Sequence, residues 1–220
     1  RFSTVTGVQT CALPISGKTR NILLVGVGGQ GTILASKVLS EGLVRAGYDV
    51  KMSEIHGMSQ RGGSVTTHVR FGTRVYSPIV NEGEADILVS FEKVEAVRWL
   101  AYLRPGGMLV LNDYEIHPLS VLTGAARYPG DIVERLRAEV PNLLVLNAAE
   151  MATRLGNVKA QNIVLLGALV KGMKLDGIDW KSVLGELTPP RMYDLNVEAF
   201  KAGFERVRQE NSNGMDGRKR

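Results

Sequence analysis

Apolar residues come in short blocks along this chain, and their spacing changes repeatedly between continuous runs and the helical period. Asn21 to Val27 is a run of β-forming residues closed by glycines, and Leu34, Val38, Leu39 and Leu43 follow at helical spacing. Gly47 ends that helix and Asp49 to Ile55 supplies a second strand, which predicts a right-handed βαβ unit. Ser64 to Phe71 alternates Val65, Thr67 and Val69 against Ser64, Thr66 and His68; Arg74 to Val80 follows a turn at Gly72, so the two segments read as a hairpin-like pair. Asp86 to Phe91 reads as a buried strand, Glu92 to Leu103 as a helix halted at Pro105-Gly106-Gly107, and Met108 to Leu111 as another strand. Asp131 to Val140 is a predicted helix stopped by Pro141, and Asn142 to Leu146 a strand. Beyond it only the helical period remains, over Ala148 to Leu155, Lys159 to Met173, Trp180 to Leu187 and Asp194 to Arg208. The pattern predicts an α/β fold: a Rossmann-like, mostly parallel sheet with helices on both faces and a helical C-terminal extension.

Composition narrows this to one unit. With 220 residues, 44% of them hydrophobic, the chain can bury one full core, and residues 20–208 are read as a single domain. The apolar runs Ile163 to Val170 and Leu143 to Leu146 fall far short of the roughly 20 residues that cross a bilayer, so no membrane partner is expected. Most of the formal charge of +5 belongs to the ends, where Arg1, Lys18, Arg20, Arg218, Lys219 and Arg220 lie against Glu210 and Asp216. The middle is nearly balanced, which argues against a nucleic-acid partner. Cys11 is the single cysteine. It excludes an internal disulfide, a four-cysteine zinc site or a fully ligated iron–sulfur cluster on this chain, and a reducing cytoplasmic home is expected. Residues 1–19 are read as a non-native or disordered leader, because RFSTVTGVQTCALPIS has no initiator Met, makes a poor signal peptide and resembles a translated sequencing adapter. Residues 209–220 are read as a disordered tail.

Candidate chemistry concentrates in two glycine-rich segments. Gly26-Val27-Gly28-Gly29-Gln30-Gly31 satisfies G-x-G-x-x-G between a predicted strand and helix. Glycines there let the backbone approach a phosphate and aim amides at it, with the helix dipole assisting; they also simply permit tight strand–helix packing. Glu54 stands where a ribose-binding acid would, or is a solvated strand-end carboxylate. His56-Gly57-Met58-Ser59-Gln60-Arg61-Gly62-Gly63 follows the second strand and so shares the carboxyl edge with the first loop. Arg61 beside Gly62 and Gly63 offers a guanidinium and bare amides to an anion, and His56 offers a hydrogen bond or a proton; the alternative is a surface loop against a partner. His68 and His117 share no spacing with His56, so no metal site is expected. Asp113 and Glu115 are acid–base candidates or solvated loop carboxylates, and Pro189-Pro190-Arg191-Met192-Tyr193 is a docking segment or a helix-ending linker. Neither a nucleophile elbow nor a P-loop occurs.

Taken together, GVGGQG, HGMSQRGGSV and the closing LNVEAFKAG resemble the gamma-domain family of 2-oxoacid:ferredoxin oxidoreductases, and within it the small subunits of the indolepyruvate enzymes. The resemblance covers residues 20 to 208. It implies a part in the coenzyme A-dependent oxidation of an aryl pyruvate to an aryl-acetyl-CoA, carbon dioxide and reduced ferredoxin. It also implies a large partner subunit that carries thiamine diphosphate, Mg²⁺ and the iron–sulfur clusters, with ferredoxin met through the complex. No cofactor is assigned to this chain alone and no residue is offered as catalytic. The expected binding set is Gly26, Gly28, Gly29, Gln30, Gly31, His56, Ser59, Gln60, Arg61, Gly62 and Gly63, with coenzyme A the preferred occupant. The helical C-terminal half, the loops around Arg61 and Pro189 to Tyr193, and Met58 and Met192 are the expected partner contacts. Two rival readings remain open: a stand-alone NAD(P)- or flavin-dependent oxidoreductase, and a non-catalytic binding module.

Overall fold

The computed structural model describes residues 18–56 and 63–216. The order is β1 (Arg20–Val27), α1 (Thr32–Arg45), β2 (Asp49–His56), β3 (Ser64–Gly72), β4 (Ala85–Ser90), α2 (Lys93–Arg98), β5 (Leu103–Asn112), α3 (Leu119–Leu122), α4 (Ile132–Glu139) and β6 (Leu143–Leu146), then α5 (Ala148–Arg154), α6 (Gln161–Gly172), α7 (Trp180–Leu187) and α8 (Tyr193–Asp216). The strands form one six-stranded sheet, β2-β3-β1-β4-β5-β6. β1, β4, β5 and β6 are parallel, whereas β3 runs antiparallel to both β1 and β2. The expected βαβ unit is therefore split, with β3 inserted between its two strands.

Strand periodicity divides the core into two. Ile22, Leu24, Ile87, Val89 and Val110 face the side covered by α1, α5, α6, α7 and α8. Leu23, Val25, Leu88, Leu109 and Leu111 face the other, where α2 and α4 supply Ala96, Ile132 and Leu136. Helices thus lie on both faces, as the alternating pattern predicts. α6 is buried from Asn162 to Val170 because it is apolar all round and is enclosed by the sheet, α1 and α8.

Several expectations are corrected. Residues 74–80 are not a strand. β3 already pairs along both edges, so a further hairpin partner has nowhere to bond. The segment is held irregularly instead: Val75 N donates to Asp49 Oδ2 (2.8 Å), Val80 N to His68 Nδ1 (3.1 Å), and Arg70 reaches Ser77 O and Ile79 O. Sandwiched between strands and covered on both faces, β3 is buried from Val65 to Val69 without the predicted alternation. The predicted helix over Glu92 to Leu103 is a helix only to Arg98, followed by a short 3₁₀ turn at Leu100–Tyr102. β5 starts at Leu103, and Arg104 to Gly107 form a register irregularity within it rather than a stop before it. α8 continues through Asp216, past the boundary at 208.

Candidate functional site

The parallel strands end together at Val27, Ser90, Asn112 and Leu146, and their carboxyl edge carries the glycine loop. Gly31 is left-handed, with φ 82°, and is the N-cap of α1. A side chain there would be strained, and a Cβ would meet Asn162 Nδ2 at 2.6 Å. No side chain caps the helix and its first turn holds no acid, so the first amides and the positive end of the dipole are not met by a side chain of this chain among the described residues. Gln30 is buried and spans the loop: its Oε1 accepts from Val27 N (2.7 Å) and its Nε2 donates to Phe91 O (2.8 Å). Gly26 leaves room for it, since a Cβ would lie 2.8 Å from Gln30 Oε1 and 2.9 Å from Phe91 Cβ. Gly26 and Gln30, read from sequence as cofactor residues, thus set the loop's shape.

The second segment meets the first through its far end. Gly28 N donates to Gly63 O at 2.9 Å. The next residue, Ser64, donates through Oγ to the buried Glu95 Oε2 at 2.5 Å, and Arg98 Nε lies 3.5 Å from Glu95 Oε1. At the near end His56 is exposed, and its Nε2 lies 3.8 Å from Glu54 Oε2. Glu54 Oε1 accepts from Ser36 Oγ at 2.9 Å, so this acid faces α1 rather than open solvent. Gly57, Met58, Ser59, Gln60, Arg61 and Gly62 lie outside the described residues.

Beneath the loops runs a polar girdle that periodicity did not single out. Phe91 O accepts from both Gln30 Nε2 and Asn112 Nδ2 (3.1 Å), and Asn112 Oδ1 accepts from Ala148 N (2.9 Å), which ties β1, β4, β5 and α5 together. Asn162 Nδ2 donates to Gly31 O (3.1 Å) and so fixes α6 to the start of α1. Glu92, 1% exposed, caps α2 through Glu95 N (3.0 Å) and accepts from Tyr128 Oη. Burial and that carboxylate push the Tyr128 hydroxyl far above its usual range. Lys93 Nζ lies 3.2 Å from Asp113 and 2.6 Å from Glu115. With His117 Nε2 3.0 Å from Glu115 Oε2, Lys93 holds Glu115 below the ordinary carboxylate range.

His68 is buried; its Nδ1 accepts from Val80 N, and desolvation lowers its pKa. Among the described residues no group of three or more His, Cys, Asp or Glu side chains is placed to hold a metal ion, and no helix is long and apolar enough to cross a membrane. The edge suits an anionic ligand: uncapped helix amides, glycine backbone open to close approach, and no acid in the first turn.

Fold and site together define a doubly wound α/β protein with a glycine loop at the carboxyl edge of its parallel strands. The chain belongs to the pyruvate ferredoxin/flavodoxin oxidoreductase family, which residues 21–206 match. It is 41% identical over 197 residues to the indolepyruvate oxidoreductase subunit IorB of Pyrococcus horikoshii, covering 87% of this chain and 98% of that one. Among solved structures it is similar to the gamma subunit of a keto/oxoacid ferredoxin oxidoreductase from Geobacter sulfurreducens, with TM-score 0.61, 25% identity, and coverage of 86% of this chain and 98% of that one. It also shares its fold with part of the 2-oxoglutarate:ferredoxin oxidoreductase of Magnetococcus marinus, with TM-score 0.63 at 18% identity over 88% of this chain and 32% of that one. The resemblance read from the two glycine segments and the closing helix is borne out at the level of the family.

Proposed function

We propose that this chain is the small subunit of an indolepyruvate:ferredoxin oxidoreductase. The assembly would convert an aryl pyruvate and coenzyme A into aryl-acetyl-CoA and carbon dioxide, with the electron pair passing to ferredoxin. Thiamine diphosphate with Mg²⁺ and the iron–sulfur clusters belong to a large partner in this reading, because one cysteine, Cys11, cannot supply a cluster's thiolates. This chain contributes a crevice at the carboxyl edge. The amides of Gly29, Gly31 and the first turn of α1 take a phosphate of coenzyme A, Arg61 adds fixed positive charge, and His56 donates at the rim. Ser59, Gln60, Gly62 and Gly63 are the further coenzyme A contacts of this reading.

The observation that supports the crevice is the Gly28 N to Gly63 O hydrogen bond of 2.9 Å, which brings Gly63, the last residue of the second glycine segment, against the first. The coenzyme A complex of the Magnetococcus marinus protein, whose fold this chain shares, is consistent with that ligand class. The test is steady-state kinetics of the assembled enzyme carrying Gly28→Val or Arg61→Ala. Each change should weaken apparent coenzyme A affinity by about tenfold or more, the worth of one or two charge-assisted contacts. Unchanged affinity in both variants removes coenzyme A from this edge. The purified chain without partner should neither oxidise 2-oxoacids nor titrate saturably with NADH; a clear NADH isotherm would favour a stand-alone dehydrogenase.

A further inference from the structure

Between β5 and α4 the chain runs from Asp113 to Asp131 with the four-residue α3 as its regular element. An excursion of this length in a compact domain calls for a function. It begins at the carboxyl edge, the same edge as the glycine loop. Its two feet are fastened to the start of α2. On the outgoing side Lys93 N donates to Tyr114 O (3.1 Å), Lys93 Nζ contacts Asp113 and Glu115, and Ile116 N donates to Glu92 Oε1 (3.4 Å). On the returning side Tyr128 Oη donates to the same buried Glu92 carboxylate, and the Tyr128 and His117 rings pack with centroids 4.9 Å apart.

What the feet hold up is an uncharged tip. From Pro118 to Ala126 there is no Asp, Glu, Lys or Arg. Leu119 on α3 is 75% exposed and Leu122 69% exposed, with Tyr114 exposed beside the foot. Two leucines at such exposure, at the two ends of one helical turn in a braced loop, forgo burial that would be worth about 1.5–3 kcal/mol each. They are kept from folding back by the anchored feet.

We infer that residues Tyr114 to Ala126 form a preorganised arm that inserts Leu119 and Leu122 into an apolar groove of the large partner subunit. This rests on the small-subunit reading above. The occupant follows from area and charge. Two leucines and a tyrosine offer at most a few hundred Å² of apolar surface, whereas a specific pair buries about 800 Å² on each partner. Tip against tip falls short, so a second copy is not held by it. A large heterologous partner that also covers the adjoining glycine-loop edge makes up the difference. An uncharged tip matches an apolar groove and offers nothing to a charged surface. Bracing the feet in advance lowers the ordering cost of docking.

The experiment compares the wild-type chain with Leu119→Asp/Leu122→Asp, and with the milder Leu119→Ser/Leu122→Ser, in titrations against the cognate large subunit. Both pairs of side chains face solvent, so circular dichroism and Tm of the isolated chain should not change. Affinity for the large subunit should fall at least about 30-fold in the Asp variant, as for hot-spot anchors, and less in the Ser variant. A wild-type complex matched in affinity by both variants overturns the arm and leaves the subunit reading standing. No wild-type complex overturns the subunit reading and the arm with it. A wild-type homodimer that the Asp variant abolishes assigns the tip to a second copy and also overturns the proposal.

Discussion

The two faces of the sheet are built to different standards. On one, α6 and α8 touch backbone to backbone. A Cβ on Gly203 would lie 1.8 Å from Val164 O, and one on Gly167 2.0 Å from Phe200 O. Gly42 yields likewise to Trp180, whose ring would lie 2.3 Å from a Cβ there, and Trp180 Nε1 donates to Leu175 O. Among the described residues the other face carries the short helices α2 and α4, the 3₁₀ turn at Leu100–Tyr102, the irregular cover of residues 74–80 and the braced arm. His68 Nε2 is buried there with no hydrogen-bond partner among the described residues, as is Thr67 Oγ1 on the first face. The closest backbone packing lies on the first face, and the thinner one carries the braced arm with Leu119 and Leu122 in solvent.

The comparison breaks most readily at the helix pair. Gly203→Ala should cost about 3 kcal/mol or more, because the obstacle is a carbonyl of α6 that cannot step aside. At this chain length that lowers Tm by about 6–12 °C, and an unshifted melting curve would show that the two helices slide apart freely. A smaller effect distinguishes two glycines of the β1–α1 loop. Both have positive φ, 82° at Gly31 and 100° at Gly29, but a Cβ at Gly31 meets Asn162 whereas one at Gly29 meets open space. Urea denaturation should place Gly31→Ala about 2 kcal/mol below wild type and Gly29→Ala about 1 kcal/mol below; equal losses would mean that Asn162 does not brace the loop.

The smallest expected effect belongs to the thin face and depends on pH. Burial lowers the His68 pKa from 6.5 in the fold, so the unfolded chain takes up the proton first. The fold therefore has its full share of stability above about pH 6.5, and that share declines as pH falls toward the depressed folded value. Unfolding free energies from pH 8 to pH 5 should fall more steeply for wild type than for His68→Gln, whose amide oxygen can still accept from Val80 N. Parallel curves would place the acid sensitivity elsewhere.

Much of the fold was legible because it rests on local period. Trp180–Leu187 is the helix that the pattern predicts, residue for residue. β6, α5 and α6 fall within a residue or two of prediction, since each is a block of apolar residues at one spacing, bounded by a cap or a proline. The glycine loop was legible too, as a turn between strand and helix. What Gln30 does there was not, for a glutamine in a turn looks the same whether it faces a ligand or brackets Val27 and Phe91.

By itself, then, the sequence determined the class of fold, the placing of the glycine loop at a strand end and the apolar face of each long helix, because these depend on residues within a turn or two of one another. Only the tertiary structure decided that β3 enters between β1 and β2, that residues 74–80 lose their strand, and that Glu92 is a buried anchor while Leu119 and Leu122 stay in solvent. Strand pairing and burial depend on hydrogen-bond partners and packing surfaces brought from far along the chain. Period two states that a residue alternates; it does not state against which neighbour.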